Sequence, residues 1–379
     1  MKILLVGEYS RLHNSLKEGL VALGHEVTLI ATGDLFKKFP ADIQLQRKYD
    51  HGPSRKWKII VFKLTGIDLT SVALRRQFNQ QKELLKGYDV VQLINENPFG
   101  VSVTVEREII TYLKEYNKKL FLLSCGTDHI SVSYAFQKKF RYSILTPYFE
   151  GKISKAKYAS VLKYMSQKHK AYHDFVFEQI EGVIASDLDY HIPLEGHKKY
   201  LGLIPNPVNV NQLEYTPLTI SEKIIIFQGI NRRTYLKKGS DYFEKALQII
   251  QNKYPDKVEI TTVENLPYHE YINKYNQAHI VLDQVYAYDQ GYNALEAMAK
   301  GKVVFTGAEK EFQDYYELNT TVAINALPDV QSIANDLEEL LLNPEKLVEI
   351  GRNATAFIDT HHHYKKIAQK YINTWEAKN

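Results

Sequence analysis

Short apolar runs alternate with helical spacings along most of the chain. Residues 2–7 hold a short apolar run, 12–23 place apolar residues at helical spacing, Gly24 ends that helix, and 25–31 is strand-like again. This predicts a β-α-β opening. Further strands are predicted at 58–62, 89–94 and 120–124, with helices such as 106–116 between them, and the last strands of this half at 182–185 and 200–204. Such alternation implies a parallel sheet. Pro205-Asn206-Pro207-Val208-Asn209 then breaks the pattern, because two prolines in three residues cannot continue a central strand or helix. A hinge is placed there. The second half restarts with a strand at 223–228, a basic loop and a helix at 241–251, followed by strands at 258–262, 279–282 and 303–306. The tail 364–375 carries Ile367, Ala368, Tyr371, Ile372 and Trp375 along one side of an amphipathic helix.

Composition narrows the class. A chain of 379 residues is long enough for two domains, each with its own core. With 44% hydrophobic and 24% charged residues it reads as a globular protein, not a disordered one. The single cysteine, Cys125, excludes a disulfide framework and a cysteine-based zinc cluster, and fits a reducing cytoplasm. The apolar run before Gly7 is too short for a signal peptide, and no segment approaches the roughly 18 apolar residues that span a bilayer. The fold is expected to begin at residue 1. Net charge is only +4, yet 138–170 contains nine Lys or Arg and one acid, Glu150, so something acidic is expected to approach that flank. Nucleic acid is disfavoured by the small net charge and the lack of a recognition motif.

Two stretches carry candidate chemistry. In YDQGYNALEAMAKGKVVFTG, residues 288–307, a Gly turn precedes a short apolar helix with one acid, Glu296. A carboxylate beside Ala-Met-Ala is costly to desolvate, so it is expected to face a pocket and a polar ligand group. In GINRRTYLKKGSDYFEKAL, Arg233 and Lys238 precede a helix whose first turn holds Gly239 and Ser240. A guanidinium and an ammonium beside a helix N-terminus suit a diphosphate; alone the loop reads better as a solvated basic loop, and the Glu296 segment and the hinge reverse that preference. In the first half, Gly7-Glu8-Tyr9-Ser10-Arg11 lacks the G-x-G-x-x-G that would cradle a dinucleotide, which argues against an NAD domain.

The 288–307 wording resembles the Leu-Glu-Ala-Met-Ala-x-Gly signature of retaining glycosyltransferases of GT-B architecture, the family 4 or "glycosyl transferases group 1" type. The R-x-x-x-x-K-G spacing resembles the donor-phosphate loop of the same enzymes. VIASDLDYHI with YLGLIPNPVNV resembles the family's strand-helix-strand ending in Ile-Pro-Asn-Gly-Val-Asp, here with Pro207 and Asn209 substituted. Residues 266–284 resemble the segment that closes the nucleotide pocket, and Gly24-His25-Glu26-Val27 resembles the opening of the acceptor domain. The resemblance implies an α/β fold of two facing Rossmann-like domains, with chemistry in the cleft between the carboxyl ends of both sheets. The implied domains are 1–206 for acceptor, 207–358 for donor, and 359–379 as a helix returning to the first domain.

Departures are as informative. The family's first acid would fall at Tyr288. Either Asp289 takes its place from a shifted loop, or Asp283 reaches in, or sugar recognition is unusual. SCGTDHISVSY resembles the family's His-Gly-x-Asp turn, with Cys125 in place of the histidine and Gly126 and Asp128 kept. A cysteine nucleophile needs a base and a depressed pKa, so a buried Cys125 is preferred and Asp128 becomes the site candidate, against a helix-capping role. Asp187-Leu188-Asp189 matches the metal-binding D-x-D of another architecture but reads better as a cap. His361-His362-His363 reads as a solvated helix start, since consecutive helical histidines diverge.

The resemblance therefore implies a nucleotide-sugar-dependent glycosyltransferase, a hexosyltransferase acting in bacterial surface polysaccharide synthesis. Arg233 and Lys238 would stabilise the departing diphosphate, with Asp128 also catalytic, and Glu296, Asp289, Gly291, Tyr292 and Asp283 would bind donor. No metal or other cofactor is expected. The partners would be a nucleotide-sugar donor, a glycan or lipid-linked acceptor, and anionic membrane approached by Lys155, Lys157, Lys163 and Lys170 of the basic flank, with Tyr158, Val161, Leu162 and Met165 interleaved. The location would be cytoplasmic, on the inner face of the membrane where that contact forms. Two rivals are a nucleotide-sugar epimerase of the same architecture and a non-catalytic binding protein marked by Tyr288.

Overall fold

A computed structural model describes residues 1–32, 39–220, 222–264 and 268–378. Leu266 and Pro267 of the nucleotide-pocket segment lie outside the described residues. The chain divides into two compact units: Met1–Ser133, Val161–Pro207 and Tyr364–Asn379 form one, Tyr134–Ser160 and Val208–His363 the other.

The first unit is built on seven strands, β1 (Lys2–Val6), β2 (Glu26–Ala31), β3 (Ile43–Gln44), β4 (Val90–Leu93), β5 (Lys119–Ser124), β6 (Gly182–Ala185) and β7 (Tyr200–Leu203). All pairs are parallel, in the order β3-β2-β1-β4-β5-β6-β7, with Ile3 opposite both Val27 and Val90. The central strands are mostly apolar because both faces of the sheet are covered. Leu4, Val6, Val91 and Leu122 pack on one side, Ile3, Leu5, Val90 and Phe121 on the other. That second side is covered by the helix Leu12–Ala22 and the terminal helix Tyr364–Glu376, which lie against each other. Gly19 permits the contact, since a Cβ there would stand 2.4 Å from the Tyr364 carbonyl oxygen. Trp375 reaches inward, and its indole N–H donates to Gln92 Oε1 at 3.0 Å, satisfying the polar side chain within β4.

Residues 58–62 are not a strand. They lie in the helix Gly52–Thr65, which starts with Pro53 in its first turn and ends at Gly66 in the left-handed conformation, φ 72°. A five-residue apolar run does not by itself separate helix from strand, and these flanks favour the helix. The two-residue strand β3 was too short to leave a pattern in the sequence.

The second unit has five parallel strands, β8 (Ile224–Ile230), β9 (Val258–Glu264), β10 (Ile280–Leu282), β11 (Val303–Thr306) and β12 (Ile324–Asn325), in the order β12-β11-β10-β8-β9. Tyr134–Ser160 belongs to this unit although it arises within the first half of the sequence. Its anchor is the pair Arg141 and Tyr142. The Arg141 backbone N–H donates to the Tyr288 hydroxyl at 2.8 Å, and the Arg141 guanidinium contacts Glu309 at 2.8 Å and Glu311 at 2.6 Å. Tyr142 donates its hydroxyl to Glu309, and the Tyr288 ring lies 5.0 Å from Phe140 and 5.5 Å from Tyr142. The three histidines are not a solvated helix start. His361 ends the helix Pro344–His361, and His362 is buried beside Phe357 while its carbonyl accepts the Val208 N–H at 2.7 Å.

Glu106 sits fully buried in the first turn of the helix Val103–Tyr116, with Oε1 accepting the Val101 N–H at 3.1 Å. Burial pushes its pKa up to about 7, against the opposing pull of nearby backbone amides. A folded-state pKa above the unfolded one means stability is lost as pH rises from about 4.5 to about 7. Glu106→Gln should therefore gain on the wild type across that window, by on the order of 3 kcal/mol, and hold a constant margin above it. Urea unfolding at a series of pH values measures this, and a margin that does not grow with pH would refute the assignment.

Tyr288→Ala should loosen the 134–160 segment at a cost of about 3 kcal/mol. Trypsin should then cut at Lys138, Lys139 or Arg141 faster than in the wild type, whereas Tyr288→Phe, which keeps the ring, should stay close to wild type. Equal cleavage in all three proteins would show that Tyr288 does not anchor the segment.

Candidate functional site

In the second unit the polar groups gather where the strands end. β8 runs into the turn-rich loop 231–239, β10 into Asp283, and β11 into Gly307-Ala308-Glu309. Asp283 is buried, and Lys238 Nζ donates to its Oδ1 at 2.8 Å. The lysine itself is more than one-third exposed, so the carboxylate holds one face of the ammonium and leaves donors directed outward. The backbone fixes this pose, with the Val285 N–H donating to the Lys238 carbonyl at 2.8 Å. Gly239, φ 69°, caps the helix Ser240–Lys253 and lies so near Val285 that a Cβ would stand 2.6 Å from that side chain. The Lys-Gly pair thus has a steric cause. Arg233 is exposed on the same loop and makes no ion pair among the described residues, whereas Arg232 pairs with Glu264 at 2.8 Å. Lys237, whose pKa burial lowers, lies over the Tyr158 ring at 4.9 Å.

Gly291 precedes the helix Tyr292–Ala299, and a Cβ added to it would approach Asp283 Oδ2 at 3.5 Å, which brings the glycine, Asp283 and Lys238 into one neighbourhood. Tyr292 and Glu296 are half-buried on that helix, whose Ala294, Leu295, Ala297 and Met298 face the core. Asn293, Glu296 and Lys300 share its outer side, and Lys300 Nζ donates to Asn276 Oδ1 at 2.7 Å. Asp289 is buried, with Oδ1 accepting the Gln290 N–H at 2.7 Å. Tyr288, at the position of the absent acid, is occupied with Arg141 and the rings around it.

Asp128 is in the first unit. Its Oδ1 accepts the Ser131 N–H at 2.7 Å and its Oδ2 the Ser124 hydroxyl at 2.6 Å, so it caps the helix His129–Phe136. Burial raises the Cys125 pKa far out of the range of a nucleophile. Asp187 caps the helix Leu188–Leu194, accepting the Asp189 N–H at 3.1 Å.

A cluster at the carboxyl ends of β1 and β4, where the sheet order reverses direction, was not anticipated. His13 is buried and held neutral, its pKa pushed down to about 3 by burial, and its Nδ1–H donates to the Gly7 carbonyl at 2.8 Å. Asn14 donates to Glu8 Oε2 from its backbone at 2.8 Å and its side chain at 2.7 Å. Buried Glu96 meets His173 Nδ1 at 2.5 Å, and the His173 ring lies 5.1 Å from His129. Burial lifts Glu96 to about 7, and although burial pulls His173 down, its contact with Glu96 raises it, so the pair holds a proton between them near neutral pH. An acid soon after an apolar strand, Glu96 in VVQLINENP, was the available signal.

Residues 232–373 match the family model described as glycosyl transferase-like. No curated protein matches the sequence. Among solved structures, sucrose-phosphate synthase from Thermosynechococcus elongatus is similar at 16% identity and TM-score 0.63, over 100% of this chain and 99% of that one. HepE from Anabaena, solved with UDP and glucose, is similar at 13% identity and TM-score 0.58 over the whole of both chains. UDP-GlcNAc 2-epimerase from Neisseria meningitidis, bound to UDP-GlcNAc, is similar at 14% identity and TM-score 0.52 over the whole of both chains. The α/β chain with two parallel sheets accordingly has the GT-B fold, and its 232–373 portion is glycosyl transferase-like.

Proposed function

We propose that the protein is a retaining glycosyltransferase that moves a sugar from a nucleotide-diphosphate donor to a sugar or lipid-linked glycan, in bacterial surface polysaccharide synthesis. The observation that carries this reading is Lys238 held by buried Asp283 at the carboxyl end of a parallel sheet, within the glycosyl transferase-like portion. In this reading Lys238 and Arg233 meet the diphosphate, and their fixed charge stabilises the negative charge that grows on it as the sugar leaves. The built-in cations supply the neutralisation a metal would otherwise give. Glu296 holds the ribose, and Asp283, Asp289, Gly291 and Tyr292 line the donor position. Asp128 acts from its cap, as a positioning residue for the turn at 124–131. Transfer with retention would pass the acceptor proton to the departing phosphate. In this reading the 138–170 stretch offers positive charge to an acidic acceptor or anionic lipid, with Tyr158 and Val161 buried beneath it and not on its surface.

A nucleotide-sugar epimerase is the second reading, favoured by the likeness to UDP-GlcNAc 2-epimerase. It would release an altered sugar nucleotide with no acceptor present, which chromatography of the donor after incubation detects.

Arg233→Ala and Lys238→Ala should each slow release of the nucleoside diphosphate at saturating donor by at least tenfold while thermal unfolding of Arg233→Ala stays unchanged. Unchanged turnover in either variant removes that residue from the phosphate assignment. For Glu296 the loss should fall on nucleotide affinity, with Glu296→Gln milder than Glu296→Ala because the amide keeps an acceptor oxygen. Calorimetry with the free nucleoside diphosphate decides it, equal affinity in wild type and Glu296→Ala leaving the acid a purely structural role.

A further inference from the structure

The helix Gly52–Thr65 buries none of its residues. Its sequence, GPSRKWKIIVFKLT, is nevertheless rich in large apolar side chains, of which Trp57 is 66% exposed, Ile60 47% and Leu64 80%. Spacings of three and four residues place these three on one side of the helix. Lys56 and Lys63 flank that side at neighbouring helical angles, Arg55 lies further round, and 52–67 contains no acid. Lys58, whose amine meets Asp50 at 2.6 Å and Asp68 at 3.5 Å, ties the helix to the unit from another side, where Ile59 and Phe62 are also exposed. An apolar stripe with cations along one edge and no acid in the helix suits the boundary between acyl chains and negatively charged headgroups.

We propose that the helix Gly52–Thr65 is a surface anchor that lies on anionic lipid, with Trp57, Ile60 and Leu64 entering the acyl boundary and Lys56 and Lys63 meeting the headgroups. At about 21 Å for its 14 residues it is too short to cross a bilayer, and no helix among the described residues is long and apolar enough to do so. A second copy of the chain is the poorer occupant. A two-fold contact through this side would set Lys56, Lys63 and Arg55 of one copy near the same cations of the other, with no acid in 52–67 to receive them. The inference is independent of the sugar-transfer reading, because the residues involved belong to the first unit and nucleotide affinity in solution is a separate readout.

The full-length protein carries its own probe. It has two tryptophans, and Trp375 is 1% exposed, so a spectral change on lipid binding reports Trp57. With vesicles of phosphatidylcholine and phosphatidylglycerol at low salt, the wild type should cosediment and its emission should shift to the blue. Pure phosphatidylcholine should bind at least tenfold more weakly, and added salt should reduce binding to the mixed vesicles. Ile60→Asp with Leu64→Asp should lower cosedimentation at least tenfold without changing thermal unfolding, since neither side chain is buried. Lys56→Gln with Lys63→Gln should lower it and flatten its salt dependence, which keeps the test informative if the aspartate variant folds poorly. Three results would overturn the proposal: no binding by the wild type, equal binding by the variants, or a lipid-free dimer in sedimentation velocity that Ile60→Asp with Leu64→Asp dissociates.

Discussion

A parallel strand covered on both faces can hold polar chemistry only where it ends. In β1, β4, β8, β10 and β11 the side chains are apolar and buried nearly without exception, and the first polar residues after them are Glu8, Asn95, Asn231, Asp283 and Glu309. Inside a strand, Gln92 is tolerated because its amide donates to the Leu93 carbonyl and its oxygen accepts from the Trp375 indole. This constraint distributes the chemistry of each unit. It places Lys238, Asp283 and Gly291 together in one, and His13, Glu8, Glu96 and His173 at the carboxyl ends of neighbouring strands or on the helices beside them in the other.

The balance of charge in the second unit follows from depth. Asp283 is buried and would be costly alone, so Lys238 offsets it, yet the exposed part of the ammonium keeps donors directed outward. Arg233 stands exposed on the loop and makes no ion pair among the described residues. Glu309, by contrast, is spent on Arg141 and Tyr142, and Tyr288 on the Arg141 backbone. The position where the related family carries an acid therefore serves here to hold the 134–160 segment.

Much of the fold was legible because its strands are short apolar runs and its helices begin and end with clear signals. The runs at 2–7, 120–124, 182–185 and 303–306 reappear as β1, β5, β6 and β11, and the tail is a helix whose apolar side is buried. The run at 58–62 misled because five apolar residues do not by themselves separate helix from strand, and the flanking Pro53 and Gly66 that mark the helix lie outside it. The strands β3 and β12 have two residues each, below any periodic signal. At the site, the Lys238-Gly239 pair was visible as a motif, whereas its buried partner Asp283 followed from tertiary packing. That Tyr134–Ser160 joins the second unit was invisible, because Arg141 and Tyr142 find Glu309 and Tyr288 at sequence separations from 147 to 168. His362 was misread for the same reason, its burial depending on Phe357 and Val208.

The central claim is that the second unit binds a nucleotide-diphosphate sugar through the strand ends of its sheet. Thermal unfolding of the wild type against a panel of nucleoside diphosphates and their sugars tests it most directly. A ligand at about one hundred times its dissociation constant stabilises the folded state by about 2.7 kcal/mol. The account predicts a clear rise in unfolding temperature for at least one base, larger than the response to the matching nucleoside without phosphates. No rise with any member of the panel, or an equal rise with the bare nucleoside, would contradict it.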